Sequence, residues 1–541
     1  MAEIAPREET IFALFASTAK FNPHSLFLII PPALGRDYLP QGQEFTYAEA
    51  MENVLFLQRK YKEAGYGPGH RIALLLENRP EFIFHFLALN SLGSSIVPIN
   101  PDYQGDEILY LLDHSQSDMV VTFNKHLVRL KKLGRTIAIL DTESSSQVFP
   151  PVKNMPLSSP PDRRAECSVL YTSGTTGRPK GCVLSNNYHL HAGQWYCDLG
   201  GLMSLNYGKE RFYNPLPLFH MNNLAISLTA VIASGNCLIL PERFSPKAWW
   251  QDISFSKATA IHYLGIIPPL LLNQPPCYDE KDHCVRFGAG AGIDPKLHDL
   301  FEQRFGFPMI EIWGMTETGR IFADNMEPRK KYPRAFGHAP LKELEAKIVD
   351  DEDNEVGHGT AGELLVRAKG QDPRAGFFSH YLKDEGATEH AWRGGWFHTG
   401  DVVIHQPDGM LVYVDRLKNI IRRSGENIAA AEIESVIQSH PKVAQIVVLA
   451  VPDELREEEI MACIVPKEAS KPGIELAQEI FQYCIQQLAY FKAPGWILFV
   501  DTLPVTSTQK VSKAKIFPSG SDPRQIPEAL DLRSQKKRQS P

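Results

Sequence analysis

Between residues 45 and 265, short runs that are apolar at nearly every position alternate with amphipathic stretches of helical length. That alternation leaves few folds open. The runs are Arg71 to Leu76, Ser95 to Ile99, Met119 to Thr122, Cys237 to Leu240 and Ala260 to Tyr263. Helices are expected from Val54 to Gly65, Glu81 to Leu92, Asp106 to His114, Asn187 to Leu199, Phe219 to Ala233 and Pro246 to Ile253. Strands without a polar face must be covered on both sides, which is the mark of a largely parallel sheet between helices. With 541 residues the chain exceeds a single core. Glu363 to Arg367 reads as a strand of a more β-rich region, and the character changes again near Asp415. Beyond it, helix Ala429–Ser439, strands Val443–Val451 and Ile460–Val465, and helix Ala477–Leu488 make a small α+β module. The expected class is α/β: a large N-terminal domain (1–416) of mixed, largely parallel sheets with a β-rich subdomain, then a small α+β C-terminal domain (417–518). Residues 519–541 are polar and charged and are expected to be disordered.

A net charge of −7 argues against the clustered basic footprint of a nucleic-acid binder. The acidic start Met1 to Glu9 lacks the apolar core of a signal peptide, and the run Leu26 to Ile30 is too short to span a bilayer. The expectation is a cytoplasmic protein without a membrane span. Eight scattered cysteines in so long a chain read as reduced packing residues. Cys277, His283 and Cys284 match no usual zinc spacing.

The segment with the most chemistry is Tyr171-Thr172-Ser173-Gly174-Thr175-Thr176-Gly177-Arg178-Pro179-Lys180-Gly181, with four Ser/Thr hydroxyls, three glycines and two cations. Glycines let backbone N–H groups approach a ligand, and successive N–H groups in a turn make an anion cradle. A Walker A loop needs Gly-Lys followed by Ser or Thr, but Lys180 stands between Pro179 and Gly181. A polar surface turn is the plainer alternative.

Five further segments follow in order. They are Leu216 to Asn222 with His220, Phe287 to Gly292 with Gly290 and Ala291, and Glu311-Ile312-Trp313-Gly314-Met315-Thr316-Glu317. Gly395 to Asp401 with Asp415 to Ile421 comes next, and Leu503 to Val511 with Lys510 comes last. Taken singly, these could be a helix start, a flexible turn, a solvated helix start, β-turns with charged loops, and a surface lysine run. Together with the first loop they resemble the acyl-adenylate-forming (AMP-binding) superfamily, acyl-CoA synthetase branch. Arg422-Arg423-Ser424-Gly425-Glu426-Asn427-Ile428 is similar to the corresponding stretch of carnitine/crotonobetaine-type CoA ligases.

The resemblance implies roles. Thr172, Ser173, Gly174, Thr175, Thr176 and Lys180 would cradle the phosphates of ATP. Gly290, Ala291, Glu311, Trp313 and Gly314 would line the adenine and acyl pocket, with Trp313 as a stacking face. Thr316 would bond a phosphate or carboxylate oxygen, Glu317 would hold Mg²⁺, and His220 would border the acyl site. Asp401 would accept the ribose hydroxyls, Arg416 would contact ribose or phosphate, and Lys418 would be the pivot of a mobile C-terminal cap. Lys510 would bridge the substrate carboxylate and the α-phosphate, although Gln509 stands where the family has glycine; Lys513 and Lys515 would be solvated. The reaction implied joins a small-molecule carboxylic acid to coenzyme A through an acyl-adenylate, as in fatty acid metabolism, in a monomer or homodimer. Because little chain follows residue 516, free coenzyme A is expected in preference to a carrier domain. A carrier-protein acceptor, a nucleotide binder without turnover, and a phosphotransferase yielding ADP are the alternatives.

Overall fold

The computed structural model describes residues 8–144, 148–172, 179–339, 343–423, 426–468, 470–505, 511, 513, 516–518 and 521–536. The chain divides into two compact units: residues 1–345 with 367–396, and residues 346–366 with 397–541.

In the first unit an eight-stranded sheet runs in the order Ile321–Ala323, Met309–Gly314, Phe287–Ala291, Ala260–Leu264, Arg211–Tyr213, Cys237–Ile239, Leu26–Ile30, Gln43–Thr46. Its six inner strands are parallel and the two edges antiparallel. Helix residues Trp249, Trp250, Ile253, Leu271, Phe301 and Phe305 bury one face against Ile29, Ile239, Ile261 and Met309. A seven-stranded sheet runs His380–Tyr381, Lys180–Ser185, Glu166–Thr172, Ser95–Pro98, Arg71–Leu74, Met119–Thr122, Ala138–Asp141. Here Ile108, Leu111, Leu112 and Leu130 pack on Ala73, Val97, Val120 and Val169. The covering helices start as their sequences dictate. Thr46 and Glu49 form a reciprocal capping box for Tyr47–Glu63, and Asp294 caps Pro295–Phe305, which ends at a left-handed Gly306.

Two segments depart from expectation. Phe219 to Ala233 is not one α-helix: Leu218 and Phe219 lie in a turn, Asn222–Ser227 is π-helical, and only Leu228–Ala233 is α-helical. The Ser227 hydroxyl donates to the Asn222 carbonyl five residues back (3.0 Å), a bond that suits the wider winding. The glycine-rich Phe287–Ala291 is itself a buried parallel strand and not a turn. A Cβ on Gly290 would lie 2.3 Å from the Tyr263 carbonyl oxygen, so the missing side chains are what allow the neighbouring strand to approach.

The second unit contains the antiparallel strands Phe397–His405 and Met410–Arg416, with Ala361–Ala368 running into it. Its other sheet is built on Glu457–Pro466, which pairs with Ile420–Arg423, Val443–Asp453 and Trp496–Phe499. Helices Ala430–Gln438 and Ile474–Gln487 bury Ile433, Ile437, Ile480 and Phe481 against Val448, Ile460 and Ile464. The stretch expected to be disordered is ordered where it is described. Leu530–Asp531 pairs with Trp496 and Ile497, and Leu532 is fully buried. Lys536 places its ammonium 2.6 Å from Glu459, whose other oxygen lies 2.8 Å from Arg423, all three side chains being buried. Polar composition suggests solvation, but it does not register a partner 77 residues earlier. Lys513 is not solvated either: its ammonium pairs with Glu434 at 2.9 Å and donates to the Val448 carbonyl. Among the described residues no helix is long and apolar enough to cross a membrane.

Removing one member of a buried ion cluster strands the others away from water. Glu459→Ala leaves two buried cations facing each other and is expected to cost about 3 kcal/mol, read as a lower urea midpoint for the second unit.

Candidate active site

Ser173, Gly174, Thr175, Thr176 and Lys510 lie outside the described residues, as does the side chain of Lys418. The residues that bracket the hydroxyl-rich loop are placed. Thr172 ends strand Glu166–Thr172, and Lys180 opens strand Lys180–Ser185 directly opposite it. Lys180 holds its ammonium 4.9 Å from the centre of the Tyr381 ring and 3.9 Å from Asp384. The Tyr381 hydroxyl donates to Glu317 Oε1 at 2.9 Å. Burial first, and then the Glu317 carboxylate, push the Cys182 thiol well up, and Cys182 Sγ stands 4.0 Å from the Thr172 hydroxyl. Thr172, Lys180 and Glu317, far apart in sequence, therefore converge around Tyr381 and Cys182. The Thr316 carbonyl accepts from Tyr188 (2.7 Å), which anchors the turn carrying both residues. Glu317 accepts from Tyr381 and lies beside the Cys182 thiol, so its carboxylate is the one acidic group of this cluster, a donor that fits a hard cation taking one protein carboxylate.

The neighbouring group stands at the carboxyl ends of the parallel strands, where open α/β sheets place their ligands. Gly290 and Ala291 end one strand and Trp313 and Gly314 the next. The Glu311 carboxylate accepts from the backbone N–H groups of Gly292 and Ile293 and from the Tyr263 hydroxyl at 3.4 Å. These bonds pin the turn between strand Phe287–Ala291 and helix Pro295–Phe305. Burial still pushes Glu311 up to about 7. Trp313 is buried, with Phe336 stacked at 5.9 Å and Phe322 edge-on at 5.4 Å. One face of the indole thus carries Phe336, which the motif did not foretell. His220 follows the turn at Pro217, half-buried, with its ring 4.6 Å from Phe219.

Asp401 and Arg416 belong to the second unit and sit opposite each other on paired strands. The fully buried Asp401 carboxylate lies 2.9 Å from Arg416 Nε. A single carboxylate holds the turn before it. Glu363 accepts from the Gly400 N–H (2.9 Å) and pairs with His398 Nδ1 (3.0 Å). Gly400 is left-handed at φ 67°, and the Thr399 hydroxyl donates to the Leu364 carbonyl. The motif reading passed over Glu363, His398 and Tyr381. Glu363 and Tyr381 stand far in sequence from the residues they orient, and no local pattern marks them. Cys277 and Cys284 are exposed, and His283 bonds the Phe305 carbonyl at 2.9 Å.

Sequence comparison matches residues 19–372 to the AMP-binding enzyme family and residues 432–510 to the AMP-binding enzyme C-terminal domain. The chain belongs to the AMP-binding enzyme family. It is 30% identical over 496 residues to a crotonobetaine/carnitine–CoA ligase of Proteus mirabilis (strain HI4320), covering 87% of this chain and 92% of that protein. To the enzyme of the same name from Shigella dysenteriae serotype 1 (strain Sd197) it is 29% identical, covering 87% and 93%. Among solved structures it is similar to o-succinylbenzoate CoA synthetase from Bacillus subtilis in complex with its acyl-adenylate intermediate, with a TM-score of 0.79 and 25% identity over 95% of this chain and 98% of that one. The same enzyme with ATP and magnesium ion gives a TM-score of 0.78 and 26% identity over 92% and 98%.

Two expectations follow for this AMP-binding enzyme. Glu363→Ala removes the two carboxylate bonds to the turn before Asp401 and should raise KM for ATP about tenfold, with a smaller change in kcat, since an orphaned donor costs roughly 1–3 kcal/mol. Glu311, raised from 4.5, holds a proton in the native state that the unfolded chain releases. Its stabilisation is complete below about pH 4.5 and is lost as pH rises through 7. Glu311→Gln, which cannot ionise, should therefore gain stability relative to wild type between pH 5 and 8, read as the difference in Tm.

Proposed function

We propose that the protein is an ATP-dependent acid–thiol ligase that activates a carboxylic acid as an acyl-adenylate and passes the acyl group to coenzyme A. The observation that carries this reading is the convergence of Thr172, Lys180 and Glu317 at one point beside the carboxyl edge of the large sheet. The family, and relatives named as CoA ligases, support it.

In the first step a carboxylate oxygen attacks the α-phosphorus of ATP and pyrophosphate leaves. In the second the coenzyme A thiolate attacks the acyl carbon and AMP leaves. The obstacle in the first is repulsion between an anionic nucleophile and a polyanion, so catalysis is chiefly charge compensation and alignment. Lys180 and the loop donors Thr172 to Thr176 offset phosphate charge, and Lys510 bridges the attacking carboxylate and the α-phosphate. Glu317 would hold Mg²⁺, which supplies further neutralisation when bound. Asp401 takes the ribose hydroxyls, Arg416 stands ready for ribose or phosphate, and Gly290, Ala291, Trp313 and Gly314 border adenine. Thr316 and His220 flank the reacting carboxylate. Residues 417–518 act as a cap that turns about Lys418 between the half-reactions, in a cytoplasmic protein. The candidate acyl wall is Trp195, His220, Asn222, Tyr263, Gly265, Ala289 and Met315, a mixture of polar and apolar groups that suits a small to medium acid.

Pyrophosphate release with a panel of acids, with and without coenzyme A, tests the reading. Acid-dependent release together with AMP and an acyl-CoA is the expected result; ADP as product, or acyl transfer only to a protein, would overturn it. Lys510→Ala should slow adenylation by roughly 100-fold or more while sparing thioester formation from supplied acyl-adenylate. Equal losses in both half-reactions would remove Lys510 from its assigned role.

A further inference from the structure

At the carboxyl edge of the large sheet lies a chain of buried polar groups whose orientation one backbone N–H decides. Leu216 N–H donates to Asn214 Oδ1 (3.0 Å), so the opposite atom of that amide is Nδ2. Asn214 Nδ2 donates to Ser227 Oγ (2.9 Å) and Asn222 Oδ1 (3.1 Å). Asn222 Oδ1 is therefore an acceptor, and His262 Nδ1, 3.0 Å away, must carry the hydrogen that reaches it. That leaves His262 Nε2 with a lone pair, which takes the Tyr196 hydroxyl hydrogen at 3.0 Å. Flipping either amide would set donor against donor. Asn222 is thus held by two donors on its oxygen, while its Nδ2 has no partner among the described residues. The residue is half-buried and opens the π-helical segment Asn222–Ser227, an irregularity frequent at functional sites.

We propose that Asn222 reads the acyl chain. Its two Nδ2 hydrogens are fixed donors for an oxygen acceptor on the acid, remote from the reacting carboxylate. The enzyme then selects an acid carrying a carbonyl, hydroxyl or second carboxylate over an alkyl acid of equal length. This rests on the reading of the site as acid-activating. None of the five linked groups, Asn214, Asn222, Ser227, His262 and Tyr196, is an acid, and burial holds His262 down to about 3, so this network offers a cationic acyl tail no counter-charge.

The test compares ATP-dependent pyrophosphate release with 4-oxopentanoate, pentanoate and crotonobetaine. Wild type should favour the oxo acid over pentanoate by about tenfold or more in kcat/KM, since leaving a placed donor unpaired is what rejects the analogue. Asn222→Asp, alike in shape but presenting oxygen in place of the donors, should abolish or reverse that ratio. Tyr196→Phe, which frees the His262 tautomer, should reduce it. A variant that binds ATP as wild type does is folded, and Tyr196→Phe supplies a second reading if Asn222→Asp is not. Equal use of the two acids by wild type, a ratio unchanged in the folded variants, or a preference for crotonobetaine would overturn the assignment of Asn222 while leaving the ligase reading intact. If no acid releases pyrophosphate, both readings fall.

Discussion

Parallel strands that are apolar on both faces can be joined only by crossovers, and crossovers bring every strand out on the same edge. In the first unit that rule delivers Gly290, Ala291, Trp313, Gly314, Asn214 and Leu264 to one rim. Side chains on strand Ala260–Leu264 and strand Phe287–Ala291 are buried to the last residue or two, so only loop and strand-end groups remain for a ligand. The glycines at 288 and 290 extend this logic. By omitting side chains they let adjacent strands close up and bring backbone, not bulk, to the rim.

A second theme is orientation by hydrogen-bond partners distant in sequence. Glu317 is held by Tyr381, the Asp401 turn by Glu363, and the turn after Ala291 by Glu311. In each case a carboxylate or hydroxyl from another strand fixes a loop that would otherwise be free to choose among turn geometries. Preorganisation of this kind suits a reaction in which little covalent help is needed from the protein and much depends on where charges stand.

The alternation of apolar runs made the strands named in the first unit legible within a residue or two, because burial on both faces leaves a contiguous signal, while the helix ends at Tyr47 and Ser256 lay further from their expected places. The helix from Asp294 was likewise readable, since caps are local, whereas Asp401 and Arg416, read as a turn and a charged loop, stand on the paired strands Phe397–His405 and Met410–Arg416. The π-helical segment was not readable. Its winding depends on Asn214, Ser227 and His262, whose mutual bonds cross three elements and leave no trace in periodicity. Trp313 was read as an open stacking face because Phe336, 23 positions later, is invisible to the motif. The region from 521 to 536 failed as disorder for a related reason: composition counts charges but does not pair them.

That last pairing bears on how the chain is made. Glu459 and Arg423 occupy sheet strands that are synthesised well before Lys536. A nascent polypeptide that has emerged only as far as residue 518 has its central strands in hand but not the ammonium that completes their charge cluster. Until the segment through Lys536 is added, Arg423 alone faces Glu459, and the strand Leu530–Asp531 that pairs with Trp496 and Ile497 is missing as well.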